Sequence, residues 1–180
     1  MGLLDKVLGK VFGKKYDKDV KKIAPYVGKI NEYFATLSNI SNDELRGHTQ
    51  TFRAQIAEGL KPIDDRIAEI KADIKAQPDM DMDVKEGLYD EIDKLKKKRD
   101  EDLEKILLNL LPQAFAVVKE TARRFKDNTQ LQATATDLDR DLSVELDHIN
   151  MQGDQVVYNN SWMAAGNMIT WDMVHYDVQL

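Results

Sequence analysis

Apolar residues recur at helical spacing along most of this chain, which predicts a mainly α-helical protein. Over residues 1–22 the apolar positions share one helical stripe and lysines fill the opposite face; the stripe consists of Leu3, Leu4, Val7, Leu8, Val11 and Phe12. The pattern therefore predicts a basic amphipathic helix. Two interpretations stay open: the stripe packs on the rest of the protein or on a second copy, or it lies in a lipid interface or against a membrane channel.

A second helical segment is predicted over residues 23–62. Pro25 is expected to break the first helix or to open the next one. Ser41 and Glu44 have the spacing of a capping box, in which the serine accepts from the amide of the glutamate, whose side chain reaches back. The apolar positions that follow have heptad-like spacing; they are Leu45, Phe52 and Ile56. We expect this helix to end at Gly59.

Residues 63–108 predict a long antiparallel helical hairpin. Two coiled-coil stripes are separated by the turn-forming residues 77–81, which include a proline. The stripes are Ile63, Ile67, Ile70 and Ile74, then Val84, Leu88, Ile92 and Leu95. The lysine-rich run at residues 94–99 contains no aromatic residue that would stack on bases. We therefore interpret that run as solvated surface and expect no nucleic-acid partner.

The most apolar stretch of the chain predicts a helix over residues 109–125. Its high density of apolar side chains predicts burial on most sides, and Pro112 marks its start or a kink. Arg123 and Arg124 lie at its C-terminal end, where positive charge interacts favourably with the helix dipole.

Residues 126–170 are less regular. Within them, Gly153 and Asp154 lie between alternating polar and apolar residues, which predicts a small β-hairpin. Trp162 and Trp171 are nearby and are expected to anchor it by packing. The predicted fold class is thus mainly α: N-terminal helices, a long antiparallel helical hairpin and a small β-hairpin.

Composition limits the number of domains and suggests one kind of surface contact. The 180 residues suffice for one modest domain, and 42% hydrophobic residues support a core. The net charge of −6 is uneven, because residues 1–22 contribute +4 and the remainder therefore −10. A basic amphipathic start on an acidic body suits contact with an anionic membrane surface. No apolar run approaches the roughly 20 residues that span a bilayer, and glycines and lysines interrupt the region where a signal peptide is apolar.

Candidate metal and catalytic chemistry is sparse. The chain has no cysteine, which excludes disulfides, thiolate nucleophiles and cysteine-based metal sites. Asp137, Asp139 and Asp141 alternate as in a calcium loop, but the glycine and terminal glutamate of such a loop do not occur at the required positions. The histidines share no metal-ligand spacing; they are His48, His148 and His175. We expect no metal site and no catalytic residue here.

Three separated blocks resemble the SecA family, the motor ATPases of bacterial protein export. The first runs from Leu37 to Gly59 and is similar to L-S-D-E-E-L-R-x-x-T-x-x-F-R. The second, residues 110–124, reads L-L-P-Q-A-F-A-V-V-K-E-T-A-R-R and is similar to L-L-P-E-A-F-A-V-V-R-E-A-A-R-R. The third, residues 173–180, reads M-V-H-Y-D-V-Q-L and is similar to M-R-H-F-D-V-Q-L. Three blocks in the family's order identify the chain as resembling the N-terminal part of that family.

The resemblance implies half of an ATP site. It implies that Gln179 hydrogen-bonds the adenine and that Met173 and Tyr176 line the base. We do not assign Asp177 to the base and interpret it as a helix-capping or structural acid. Residues 171–180 would then be the adenine-recognition segment at the start of a P-loop nucleotide-binding domain. The phosphate loop G-x-x-x-x-G-K-[ST], and the acids that serve Mg²⁺ in full-length members, do not occur in these 180 residues. We expect the chain alone not to hydrolyse ATP.

The resemblance also implies partners and a location. These are the SecYEG channel, preproteins and an anionic membrane surface, with a homodimer left open, in a cytoplasmic protein that is peripheral at the inner membrane. Residues 63–108 and 126–170 separate the blocks and are expected to be lineage-specific insertions. Two alternatives remain: a non-catalytic helical adaptor that binds a partner through the 63–108 hairpin, and a membrane-surface protein that acts through residues 1–22.

Overall fold

The computed structural model describes the backbone of residues 3–180 and the side chains of residues 18 and 20–180. The described chain is mainly α with a small β part, as predicted. The helices are α1 (Leu3–Thr36), α2 (Asn42–Ala76), α3 (Met82–Asp127) and α4 (Asp137–Glu145), and a short 3-10 helix spans Asp177–Gln179. The strands are β1 (Gln130–Thr134), β2 (Ile149–Gln152), β3 (Gln155–Asn159), β4 (Ser161–Ala164) and β5 (Asn167–Thr170).

The chain divides into two compact units. The first unit comprises Met1–Arg46 and Pro112–Leu180, and the second comprises Gly47–Leu111. The core of the first unit is built from α1, α2 and α3; its buried members are Ile30, Leu37, Leu45 and Ala116, and Leu180 packs against them. The side chains of the apolar stripe predicted over residues 1–22 all lie outside the described ones.

Helix α1 continues through Pro25, so the predicted break there is wrong. A proline inside a helix removes one main-chain hydrogen bond and crowds the preceding turn. The ring of Pro25 is exposed, and the helix goes on to bury Ile30 completely in the core. The packing of the later turns therefore offsets a local cost.

The predicted start of α2 is confirmed and its predicted end is wrong. The amide of Glu44 donates to Ser41 Oγ at 3.1 Å, and the amide of Ser41 donates to Glu44 Oε2 at 2.6 Å. The helix passes Gly59 and continues to Ala76. A Cβ at Gly59 would lie 2.6 Å from Ile106 Cδ1, so the glycine allows close helix packing instead of ending the helix.

The predicted helical hairpin is confirmed in the second unit. The paired positions run in opposite directions along α2 and α3: Arg66 meets Glu91 at 2.9 Å, and Asp64 meets Arg99 at 2.6 Å. These ion pairs are exposed and contribute little to stability. The apolar seam contributes more, and it consists of Ile63, Ile67, Ile70 and Ile92.

The stretch 109–125 is one part of α3, and Pro112 lies within the helix. Most of its residues are buried or half-buried, and the buried ones lie on several sides of the helix; they include Leu110, Ala116 and Ala122. Phe115 and Val118 are exposed. The predicted helix and its burial on most sides are therefore confirmed, with Phe115 and Val118 as the exposed apolar exceptions.

The β part is larger than the predicted hairpin. That hairpin is confirmed as β2–β3, with Gly153 at φ 62° in its turn, a conformation that favours glycine. Strand β1 adds to it, which gives an antiparallel sheet in the order β1-β3-β2. Strands β4 and β5 form a second hairpin, and α4 packs on the first sheet.

Candidate functional site

Trp171 anchors the start of the candidate segment, residues 171–180. Its indole Nε1 donates to the carbonyl of Ala122 at 3.1 Å and to that of Met173 at 2.8 Å. Its amide donates to the carbonyl of Asn160 at 2.8 Å. Asn160 is itself buried and donates from Nδ2 to the carbonyl of Phe125 at 3.2 Å. The indole therefore fastens the segment to the last turns of α3.

Asp177 attaches the segment to two helices. Its Oδ1 accepts from Asn31 Nδ2 on α1 at 3.1 Å and lies 3.5 Å from Lys119 Nζ on α3. Lys119 also donates to Asn31 Oδ1 at 2.8 Å, and its ammonium lies 5.1 Å from the centroid of the Phe34 ring. These contacts support a structural role for Asp177.

The predicted base-contacting residues lie on a partly exposed turn. Gln179 Oε1 accepts from the amide of Tyr176 at 2.8 Å, and the amide of Gln179 donates to the carbonyl of Tyr176 at 2.8 Å. The side chains of Tyr176 and Gln179 are exposed, while Met173 is half-buried. Gln179 and Tyr176 thus contact each other, whereas Met173 contacts Trp171 through its main-chain carbonyl, which accepts from the indole.

A buried polar cluster joins the end of α3 to the loop between α1 and α2. Arg124 Nε donates to Glu120 Oε1 at 2.7 Å, and its Nη1 donates to Asn42 Oδ1 at 2.7 Å. Its Nη2 donates to the carbonyls of Leu37 at 3.0 Å and Ile40 at 2.7 Å. The sequence indicated a favourable charge at the helix end, but not that Arg124 fastens the first block to the second.

Burial and charge oppose each other at Glu120, whose side chain is completely buried. Burial alone would raise the pKa of this carboxyl. Hydrogen bonds and charge from Arg123 and Arg124 outweigh burial and lower the pKa below its ordinary value. The carboxylate is therefore ionised and paired at neutral pH.

A second buried carboxylate, Asp139, links the β part to α2. Its Oδ2 accepts from Arg46 Nη2 at 2.7 Å and from the amide and hydroxyl of Thr136 at 2.8 Å each. Its Oδ1 accepts from the hydroxyl of Tyr158. Burial would raise the pKa of Asp139, but the bonds from Tyr158, Arg46 and Thr136 outweigh it and hold the pKa well below its usual range.

The same cluster acts on Tyr158. Burial, reinforced by the hydrogen bond to Asp139, raises the pKa of Tyr158 to about 12. The sequence pattern around Asp139 resembles an incomplete calcium loop and does not predict this cluster. A signal for the buried position of Asp139 was nevertheless present: Thr136 and Asp139 have the spacing of a capping box. The structure contains that capping box at the start of α4.

An apolar cavity of about 640 Å³ lies beside the candidate segment in the first unit. Trp171 and His175 line it, together with Trp162 and His148. The Nδ1 of His175 is buried and has no hydrogen-bond partner among the described residues. None of Met173, Tyr176 and Gln179 lines this cavity, so it is separate from the predicted base contacts.

The described residues contain neither a membrane-spanning helix nor a metal-binding cluster. Within residues 3–180 no helix is both long and apolar enough to cross a membrane. Among the side chains that the structure describes, those of residues 18 and 20–180, no group of three or more His, Asp or Glu is arranged to hold a metal ion.

Comparison with known proteins gives a consistent result. The family model described as the SecA DEAD-like domain matches residues 8–180. A protein translocase subunit SecA from Christiangramia forsetii is 46% identical over 180 residues, which is all of this chain and 16% of that protein. The subunit from Flavobacterium psychrophilum is 46% identical over 100% of this chain and 16% of its own length. The subunit from Porphyromonas gingivalis is 40% identical over 96% of this chain and 15% of its own length. No solved structure matches the chain.

Proposed function

The chain belongs to the SecA family, and on this premise we propose that it is the N-terminal part of a motor that drives preproteins through the SecYEG channel. The observation that carries the proposal is the family match over residues 8–180. The chain spans about 16% of the length of the translocase subunits that it resembles. ATP hydrolysis and movement of the preprotein are therefore proposed for the whole motor and not for these residues alone.

The convergence of the three similar blocks supports this proposal. Leu37 and Leu45 of the first block, Ala116 of the second and Leu180 of the third share one core. Asp177 of the third block lies 3.5 Å from Lys119 of the second. The long segments between the blocks form the hairpin of the second unit and the β part of the first. A shared core with insertions between its parts is the arrangement expected of an elaborated family member.

We propose that Gln179, Tyr176 and Met173 form the adenine half-site. The Gln179 oxygen already accepts from the amide of Tyr176 at 2.8 Å, which orients the carboxamide. A carbonyl oxygen has two lone pairs, so it can accept a second bond from the exocyclic amine of adenine while Nε2 donates to a ring nitrogen. The exposed ring of Tyr176 and the thioether of Met173 would contact the base. No residue here is proposed to hold phosphate or Mg²⁺.

We expect the 180-residue chain to bind ATP and adenosine with similar, weak affinities, in about the millimolar range. One bidentate amide and two apolar contacts barely exceed the entropic cost of association. Titration followed by the backbone amide NMR signals of Tyr176 and Leu180, which are present in every variant, measures this affinity. Gln179→Ala should abolish the response to adenosine, and Gln77→Ala in the hairpin turn is the matched control. Micromolar ATP affinity, or adenosine binding that survives Gln179→Ala, would contradict this half-site.

We further propose that residues 1–22 contact an anionic membrane surface, which makes the protein peripheral at the inner membrane. The support is the charge contrast: +4 over these residues against −6 for the whole chain. Basic residues contribute about 1 kcal/mol each near an anionic surface, and salt screens this attraction.

Flotation with phosphatidylglycerol vesicles tests the membrane contact. We expect the chain to float at low salt, to float less at about 0.5 M salt because the Debye length is then below about 5 Å, and not to float after removal of residues 1–22. Vesicles of phosphatidylcholine alone are the control. Flotation that persists without residues 1–22 would show that another surface binds the lipid.

A further inference from the structure

Lys119 is a nearly buried cation whose partners come from two other parts of the chain. Its side chain is 12% exposed. Its Nζ donates to Asn31 Oδ1 at 2.8 Å, lies 3.5 Å from Asp177 Oδ1, and lies 5.1 Å from the centre of the Phe34 ring. A cation with so little access to water needs such compensation. The arrangement holds α1, α3 and the candidate segment around one ammonium group.

We propose that Lys119, Asn31 and Asp177 form a positioning clamp that sets where Gln179 is presented to a nucleotide base. This inference rests on the adenine role proposed for Gln179. Asp177 is the first residue of the 3-10 helix that ends at Gln179. Because only one residue separates them, a displacement of Asp177 carries the carboxamide with it.

The other contacts of residues 171–180 do not position Gln179. Trp171 is bonded six residues before Asp177, and Leu180 packs on the core after it. Between these anchors, Tyr176 and Val178 are 72% and 92% exposed and make little packing contact. The bonds of Gln179 to Tyr176 lie within the turn and do not attach it to a helix. Among the described residues, the clamp therefore provides the polar attachment nearest to Gln179.

Hydrogen exchange on the 180-residue chain tests the clamp without any nucleotide. The amides of Gln179 and Leu180 donate to the carbonyls of Tyr176 and Asp177 and report on the order of the turn. We expect Asp177→Ala and Lys119→Met to speed their exchange about five-fold, the effect of losing one partly exposed hydrogen bond to a charged group. Lys119→Arg, which keeps the charge, should restore slow exchange.

Two controls separate positioning from general loosening. Asp172→Ala removes another exposed carboxylate of the same segment and should leave exchange at Gln179 unchanged. The amides of β3 should exchange at the wild-type rate in every variant, because β3 is paired on both sides. Unchanged exchange of Gln179 and Leu180 in Asp177→Ala would overturn the clamp.

Adenosine titration of the same variants distinguishes failure of the clamp from failure of the adenine site. We expect Asp177→Ala and Lys119→Met to weaken adenosine binding about three-fold or more, and Lys119→Arg to bind as the wild type does. If the exchange results are as expected but the wild-type protein binds no adenosine, the adenine role of Gln179 is wrong, and the clamp only attaches the turn to the helices. If adenosine binds every variant equally, the clamp does not position Gln179 and the proposal is overturned.

Discussion

Replacing Asp139 by asparagine is expected to lower the free energy of unfolding of the first unit by about 3 kcal/mol. Removal of one partner from a buried charge pair costs about 3–5 kcal/mol, and we take the lower end because Arg46 is 36% exposed. The asparagine oxygen would still accept from Arg46 and Thr136, and its NH2 group could donate to the hydroxyl of Tyr158, which can accept as well as donate. The cost is therefore chiefly the lost attraction between the carboxylate and Arg46.

Urea denaturation followed by tryptophan fluorescence measures this effect on the first unit alone. The chain contains two tryptophans, Trp162 and Trp171, and both lie in that unit. Asp141→Asn, an exposed change in the same helix, is the matched control and should shift stability by less than about 0.5 kcal/mol. A similarly small shift for Asp139→Asn would show that the buried cluster does not stabilise the unit.

The same cluster predicts a pH dependence with a definite sign. The pKa of Asp139 is lowered on folding, so its contribution is present above the unfolded pKa of about 3.9 and is lost as pH falls through the folded value. The pKa of Tyr158 is raised from 10.0 to about 12, so its contribution is present below pH 10 and is lost as pH rises toward 12. Wild-type stability should fall at both ends, and Asp139→Asn should flatten the acidic limb.

Replacing Arg124 by methionine is expected to cost the first unit about 4 kcal/mol. The change leaves the fully buried carboxylate of Glu120 without one of its two arginines. It also leaves the carbonyls of Leu37 and Ile40 without the donor that they share. Buried acceptors without partners cost about 1–3 kcal/mol each, and a buried charge without full compensation costs more.

A double replacement shows whether the buried charge causes the loss at Arg124. Adding Glu120→Gln to Arg124→Met removes the uncompensated carboxylate and should recover part of the stability, which a double-mutant cycle quantifies. Arg123→Met is the matched control, because Arg123 is 33% exposed and donates to Glu120 and Asp127 but not to the loop carbonyls. If Arg124→Met and Arg123→Met cost the same, attachment of the loop contributes nothing.

Local signals in the sequence predicted local structure well. The capping box at Ser41 and Glu44, the isoleucine stripe that begins at Ile63 and the glycine turn at Gly153 each depend on residues at most a few positions apart. Helix periods and turn conformations are consequences of that short-range geometry. The helical hairpin and the β2–β3 hairpin were therefore predictable before any fold was known.

Signals for helix ends failed where tertiary packing opposed them. Pro25 and Gly59 lie inside helices. Pro112 also lies inside a helix, so of its two predicted roles the helix start is wrong. A helix-breaking residue costs about 1–3 kcal/mol, which the packing of one long helix against another can exceed. At Gly59 the absent side chain is an advantage, because Ile106 occupies the space beside it.

The sequence by itself determined the helical content, the hairpin and the family, because periodicity and short motifs depend on residues that are close together in the sequence. Only the tertiary structure decided which polar residues meet. Asn31 and Asp177 are 146 positions apart, Arg46 and Asp139 are 93 apart, and Arg124 and Leu37 are 87 apart. No local pattern encodes such pairs, because they arise when separate helices bury their apolar faces in one core and the remaining buried polar groups must find partners there.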